Sequence, residues 1–197
     1  MKNKSLLLTF GILIIALNLV AQVRGTFPDQ RDKKTYQTVT IGSQTWMAEN
    51  LAYKVASGCW AYNDDQTKVA TYGYLYDWET AKTACPTGWH LPTEVEWTIL
   101  INCLGREDSV GGKLKSTSSW VNNNIKSTNS SGFSALPGGY RFYVRGFYYI
   151  RLYGHWWSAS EYDSNYARSC DLGYDFSGVT RYSFNKGNCF SVRCVKD

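Results

Sequence analysis

The stretch Asp77-Trp-Glu-Thr-Ala-Lys-Thr-Ala-Cys-Pro-Thr-Gly-Trp-His-Leu-Pro-Thr-Glu-Val-Glu-Trp-Thr-Ile-Leu-Ile-Asn-Cys-Leu-Gly105 holds two helix beginnings and two helix ends. Asp77 is placed as an N-cap, where a carboxylate accepts from an orphan first-turn amide. Trp78, Ala81 and Cys85 follow at i, i+3 and i+7, one face of a helical period, until Pro86 and Gly88 stop it. Trp89 and Leu91 make a brief extended piece. Thr93 and Glu96 then form a capping box, in which each side chain satisfies an amide at the other's position. The second helix is expected to carry Val95, Ile99, Leu100 and Cys103 and to end at Gly105.

Strand patterns surround this helical centre. Upstream, Tyr36 to Ile41 is β-rich, with Val39 and Ile41 on one face, and Gly42-Ser43 ends it. Gln44 to Met47 resumes as a short strand carrying Trp46 inward, and Asn63-Asp64-Asp65 reads as a turn. Everything after Gly111 lacks a helical period. Ser116 to Gly132 is crowded with Gly, Ser and Asn, as a loop is. Short strands are expected over Tyr140–Val144, Phe147–Leu152, Ser158–Glu161, Ala167–Leu172, Val179–Phe184 and Phe190–Val195. Two helices in the first half and a strand- and loop-rich second half make an α+β domain.

The 197 residues include a leader pattern. Lys2 and Lys4 form a positive n-region, and Leu6 to Val20 is apolar but shorter than the roughly twenty residues a spanning helix needs. Met1–Ala21 is therefore expected to be a signal peptide. Residues 22–35 then form an extended N-terminal segment and 36–197 the folded domain, exported, with no integral membrane span once the leader is removed. The net charge is +5, of which two charges leave with the leader, and no basic run or stripe remains to engage nucleic acid. A hydrophobic fraction of 44% and an aromatic fraction of 16% exclude disorder. Exported thiols tend to pair, and none of the spacings among Cys59, Cys85, Cys103, Cys170, Cys189 and Cys194 is the C-x-x-C type; fifteen pairings stay open on arithmetic alone.

Six blocks in order carry a resemblance: Thr38 to Leu51, Tyr72 to Trp78, Cys85-Pro-Thr-Gly-Trp-His-Leu-Pro92, Gly132 to Arg141, Trp156-Trp-Ser-Ala-Ser-Glu161 and Phe190 to Asp197. Together they make the chain, from about Tyr36 to Asp197, similar to the Fibrobacter succinogenes major paralogous domain. That family is bacterial and exported, often attached to cell surfaces, and has no established molecular activity. The resemblance implies a C-type-lectin-like fold, akin to that of sulfatase-modifying (formylglycine-generating) proteins. It further implies a bridge from a helix cysteine to one in the last strand, Cys85 to Cys194. A second bridge, Cys170 to Cys189, follows the pattern of many lectin-like domains, although the family usually has other residue types there. Cys59 and Cys103 are left either paired or free.

Catalytic signals are sparse. His90, inside Trp-His-Leu-Pro, reads as a structural histidine, and His155 beside Trp156 reads as a surface one. H-E-x-x-H, G-x-S-x-G and a Cys–His–Asn pattern are all missing. The formylglycine-generating proteins use a cysteine pair with copper that does not map onto this chain, so that oxidase activity is only a third reading. The calcium signatures of sugar-binding C-type lectins are also missing. Asn63, Asp64 and Asp65, or Asp163, Asp171 and Asp175, read as turn formers and solvated charge. No cofactor or metal is therefore expected.

The aromatic back half is the stronger signal. Nine of the fifteen Tyr lie between Tyr140 and Tyr182, interleaved with Arg, Ser, Asp, Asn and Gly. Tyrosine gives large amphipathic contact at low entropy cost, and the small polar residues adapt hydrogen bonds, as in binding loops. Candidate ligand contacts are Tyr143, Arg145, Tyr148, Tyr149, Arg151, Tyr153, His155, Tyr162, Tyr166, Arg168, Tyr174, Arg181 and Tyr182. The expected protein is an exported, surface-held or secreted, non-catalytic module for a glycan or protein ligand. A structural or adhesive surface component is the alternative. Some lectin-like proteins similar to this group are targets of diversity-generating retroelements, which randomise adenines in Asn-type codons. The products of that process dominate Tyr140 to Cys189, as ordinary divergence of paralogues also allows.

Overall fold

The computed structural model describes residues 22–121, 127–144 and 146–197; Met1–Ala21, read above as a leader, and the candidate contact Arg145 lie outside them. In chain order the strands are β1 (Val23–Pro28), β2 (Thr35–Ile41), β3 (Gln44–Met47), β4 (Cys59–Trp60), β5 (Leu75–Tyr76), β6 (Trp89–His90), β7 (Tyr140–Arg141), β8 (Phe147–Tyr148), β9 (Tyr153–Glu161), β10 (Tyr166–Gly173), β11 (Thr180–Asn185), β12 (Phe190–Ser191) and β13 (Val195–Lys196). The α-helices are α1 (Val69–Tyr72), α2 (Trp78–Ala84), α3 (Glu94–Leu104) and α4 (Gly111–Leu114). One sheet runs β1-β2-β3-β13-β6, a second runs β11-β10-β9-β12-β5-β4, and β7 and β8 form a separate ribbon. The architecture is α+β. Among the described residues no helix is long and apolar enough to cross a membrane.

The helical centre folds as its caps dictate. Asp77 accepts from the Thr80 amide at 2.9 Å, and α2 buries Trp78, Ala81 and Ala84. The Thr93–Glu96 capping box forms in full, and the Gly105 amide closes α3 on Ile101 O. The buried face of α3 is a correction. It is Trp97, Leu100 and Ile101, whereas Val95 and Ile99 are 67% and 43% exposed. The indole of Trp97 sets the helix's rotation by packing 4.8 Å from Trp46, and Leu100 and Ile101 follow it at i+3 and i+4.

β9 is the spine. Successive residues of a strand point to opposite faces, and Trp156 and Trp157 are both fully buried, in different cores. Trp157 joins α2, Tyr76 and Phe190. Trp156 joins α3, Trp46 and Leu172. Each indole N–H has a partner, Tyr76 O at 2.8 Å for Trp157 and Asn50 Oδ1 at 2.9 Å for Trp156, so neither costs an unsatisfied donor.

Other expectations need correction. Residues 22–35 are not merely an extended lead-in, because β1 pairs with β2 from Val23 opposite Thr40 to Pro28 opposite Thr35. A one-turn helix, α4, lies past Gly111, where no helix was expected; a Cβ on Gly111 would stand 2.4 Å from Gly178 O, so tertiary contact rather than propensity holds it. The strand expected over Phe147–Leu152 stops at Tyr148, since Tyr149 and Arg151 adopt φ of 64° and 68°.

Cys85 and Cys194 are bonded, with Cα atoms 5.9 Å apart. Cys170 and Cys189 are not: both are free, buried thiols, as Cys59 and Cys103 are free and half-buried. The reason is topological. Cys170 lies on β10 opposite Trp156, and Ser191 of β12 pairs with Trp156 from the other side. Two inter-strand spacings, about 9.6 Å, therefore separate β10 from β12, beyond the roughly 7 Å a disulfide spans. Burial pushes the Cys170 thiol well up and the Cys189 thiol to about 12, so both are protonated packing groups.

One buried cation makes a testable pH signature. Lys115 is fully buried beside Trp120 and donates to Phe176 O at 2.6 Å. Burial pulls its pKa down from 10.5 to about 8. The unfolded chain then holds the extra proton between those two values, so this group makes stability rise with pH across that window. The stability of wild type relative to Lys115→Met is expected to grow from pH 7.5 to pH 9.5 in urea titrations. A difference that stays flat with pH would count against the assignment.

Candidate functional site: an aromatic cleft on one sheet face

Register explains why a cleft forms. On β9, Tyr153, His155 and Trp157 share a face; their partners on β10 are Gly173, Asp171 and Ser169. The same face of β11 carries Thr180 opposite Asp171, Tyr182 opposite Ser169, and Phe184 opposite Ala167. Small side chains thus run down the central strand between aromatic walls, and a groove is what remains. It has two lobes, of about 190 and 350 Å³, which share Tyr153, His155 and Phe184. Tyr140, Tyr149 and Phe190 complete the first lobe, and Thr180, Tyr182 and Phe176 flank the second. Gly139, at φ 64°, lets the chain pass within 2.3 Å (Cβ position to Tyr148 O) of the β8 turn, which sets Tyr140 under Tyr148 and Tyr149.

His155 is the centre of the cleft, and it is buried rather than superficial as its sequence context suggested. It is 9% exposed and stacks on Phe190 at 5.1 Å, which stacks in turn on Trp157 at 4.2 Å. Its Nδ1 lies 2.5 Å from Asp171 Oδ1, and Ser169 Oγ donates to Asp171 Oδ2 at 2.7 Å. The carboxylate oxygen is the acceptor of this contact, so the tautomer it selects has Nδ1 as donor and Nε2 as acceptor. That Nε2 is buried and has no hydrogen-bond partner among the described residues. Leaving such an atom unsatisfied costs about 1–3 kcal/mol.

Most of the candidate tyrosines lie at the surface. Tyr143, Tyr148, Tyr149, Tyr162, Tyr166 and Tyr182 are 42–59% exposed. Tyr148, Tyr149, Tyr153 and Tyr182 belong to the cleft and its rim through ring contacts at 5.4–6.2 Å. Burial, then the neighbouring Asp175, raises the Tyr153 phenol above its ordinary value. Tyr162 and Tyr166 sit apart, across the β9–β10 turn, with the Arg168 guanidinium 4.6 Å over the Tyr162 ring. Tyr143 packs on Phe142 beyond β7, and Arg151 is exposed beside the Tyr149 turn.

The remaining candidates face elsewhere. Strand alternation sends Arg168 and Arg181 to the α3 side of the sheet: Arg181 reaches Thr98 Oγ1 at 2.6 Å and Glu107 at 2.9 Å, and Arg168 lies 3.6 Å from Glu94. Tyr174 packs against the second core. His90 bonds Asp197 at 2.6 Å and Glu96 at 2.8 Å, and against the opposing pull of burial these partners raise its pKa. The aspartates considered for calcium do not converge. Asp163 accepts from the turn amides of Asn165 and Tyr166, Asp171 holds His155, and Asp175 faces the Tyr153 hydroxyl. Among the described residues no group of three or more His, Cys, Asp or Glu is placed to hold a metal ion. Sequence reasoning missed Tyr140, Ser169, Phe184 and Phe190 as parts of the site. The two-residue alternation Tyr153-x-His155 and Tyr182-x-Phe184 was the available signal.

An α+β domain with one helix-to-terminus disulfide and an aromatic cleft is what this geometry defines. The chain belongs to the Fibrobacter succinogenes major domain family, whose model matches residues 39–196. No curated protein and no solved structure matches it.

Proposed function

We propose that this chain is an exported ligand-binding module, secreted or held at a bacterial cell surface, that grips a glycan or protein on its aromatic face and carries out no catalysis. The single observation behind this reading is the exposure of six tyrosines from the β7–β11 half, two of which, Tyr149 and Tyr182, line one cleft with Tyr140 and Tyr153. Exposed aromatic surface of this kind is costly to keep in water unless it meets a partner. Tyrosine and histidine rings suit sugar faces and protein contacts alike. A C-type-lectin-like scaffold agrees with the Cys85–Cys194 tie between a helix end and the last strand. The face also falls within Tyr140 to Cys189, where retroelement diversification would act; a nearby reverse transcriptase gene with an Asn-rich template copy is the test of that point.

The binding test is a glycan array together with capture from defined host and bacterial surfaces. Tyr149→Ala with Tyr182→Ala is expected to weaken binding about 30-fold or more, at about 1 kcal/mol or more per ring, with an unchanged melting temperature. Folded wild type that binds neither class, or a double variant that binds as well as wild type, refutes the reading. Self-association into a coat is the second reading, favoured by β1 and β11, which end their sheets with edges unpaired among the described residues. Concentration-dependent assembly in sedimentation runs, without other ligand binding, would support it.

A further inference from the structure

Resting on the reading of the aromatic face as a binding surface, we propose that the two-lobed cleft over His155 is a glycan subsite, and that His155 Nε2 accepts a hydrogen bond from a hydroxyl of a hexopyranose. The chemistry of the walls and floor selects this ligand. Asp171 fixes the imidazole tautomer with Nδ1 as its donor, which leaves Nε2 as a lone-pair acceptor with no partner among the described residues. The occupant must therefore donate. Around that one acceptor the walls are the faces and edges of Tyr140, Tyr149, Tyr153, Phe184 and Phe190, which offer stacking to a flat C–H face. The tyrosine hydroxyls, with Thr180 and Tyr182 in the second lobe, offer further donors and acceptors around a small volume. A pyranose has this combination, an apolar C–H face edged by several hydroxyls.

Size agrees with the chemistry. The first lobe, about 190 Å³, is below the roughly 300–1,000 Å³ of clefts that take drug-sized ligands, and suits a single ring. The second lobe continues on the other side of His155 and Phe184, and gives a neighbouring sugar residue a place. Nε2 is shielded by the surrounding rings, so a ligand hydroxyl reaches it as an exposed rim ring, Tyr149 or Tyr182, rotates aside. Among the described residues Asp171 is the one carboxylate lining the second lobe, and its two oxygens are committed to His155 and Ser169. Recognition through His155 therefore needs no bridging calcium ion.

The experiment uses the full chain with ¹⁵N-labelled histidine and methyl hexopyranosides of the gluco, galacto and manno series at millimolar concentration. At least one sugar is expected to shift the His155 Nε2 resonance, equally with and without EDTA. His155→Phe, which keeps the aromatic stack and removes the acceptor, is expected to weaken that sugar by about tenfold, or about 1.4 kcal/mol. If that variant does not fold, the wild-type resonance decides alone. Sugars that bind with His155 Nε2 unmoved, or bind His155→Phe as tightly, overturn this inference and leave the wider binding reading standing. No perturbation by any of the sugars also overturns it, while a protein ligand lost in the Tyr149 and Tyr182 variants would still uphold the wider reading. A shift that disappears with EDTA overturns the direct role of Nε2.

Discussion

Replacing both Cys85 and Cys194 by Ala is expected to lower the unfolding free energy by about 4–5 kcal/mol. The bridge closes a sequence separation of 109 residues, and a cross-link restricts the unfolded chain more as the loop it closes lengthens. Against a typical domain stability of about 5–15 kcal/mol, that is a large share. It also anchors two elements with little pairing of their own. Cys85 ends α2, and Cys194 precedes β13, which pairs with β3 and β6 at only a few residues. Guanidinium titrations of the double variant, and of wild type with and without reductant, measure the loss. A loss below about 1 kcal/mol would show that residual structure already restrains the unfolded chain. Under conditions where the variant stays folded, ligand binding is expected to persist, because β9, β10 and β11 pair with one another and not through the bridge.

Local chemistry in the sequence carried the helical centre. A capping box needs only Thr93 and Glu96, and an N-cap only Asp77 and the amide three residues on; both formed as expected. Trp46 inside and the Cys85–Cys194 bridge were also legible, the bridge through family likeness rather than spacing. What failed depended on distant partners. The rotation of α3 was settled by Trp97 against Trp46, across some fifty residues, not by the spacing of Val95 and Ile99. The single turn of α4 was settled by contact with Gly178. The Cys170–Cys189 pairing failed because β9 lies between β10, which carries Cys170, and β12, which Cys189 directly precedes, a fact of strand order that no spacing reveals.

The site divides in the same way. That the back half is rich in exposed tyrosine was readable as composition, and six of the eight named tyrosines are indeed exposed. That Ala167, Ser169, Asp171 and Gly173 form a trench was not readable, because small residues make a groove only once β9 and β11 flank them. The same register turns Arg168 and Arg181 toward α3 and brings His155 beside Asp171. Buried polar pairs of this kind arise from cross-strand adjacency, and one-dimensional patterns hold no trace of it.

Arg193→Leu is expected to cost about 3–5 kcal/mol, although among the described residues no carboxylate pairs with Arg193. The side chain is fully buried. Its guanidinium donates to Phe133 O at 2.5 Å, Met47 O at 3.2 Å, Ser134 O at 3.3 Å and Asn50 Oδ1 at 2.7 Å. Asn50 Oδ1 also accepts from Trp156, and Asn50 Nδ2 donates to Tyr72 O at 2.9 Å, so one network joins β3, β9, α1 and the Phe133 loop. An apolar replacement of an ion pair is often harmless because both partners go. Here three of the four acceptors are backbone carbonyls, which stay behind without this donor whatever residue is installed. Burial pulls the Arg193 pKa down to about 9, still protonated at neutral pH. A folded-state value below the unfolded one makes its effect on stability flat below about 9 and more favourable only above it, so acid titration will not expose the group. Substitution will. Arg193→Lys is expected to recover little of the loss, since an ammonium cannot fork across four acceptors on different elements. Urea unfolding measures the cost, and near-UV circular dichroism reports Trp156, which immediately follows His155 in β9. If Arg193→Leu loses less than about 1 kcal/mol and keeps its aromatic signal, the carbonyl cradle is not what fastens the two sheets together.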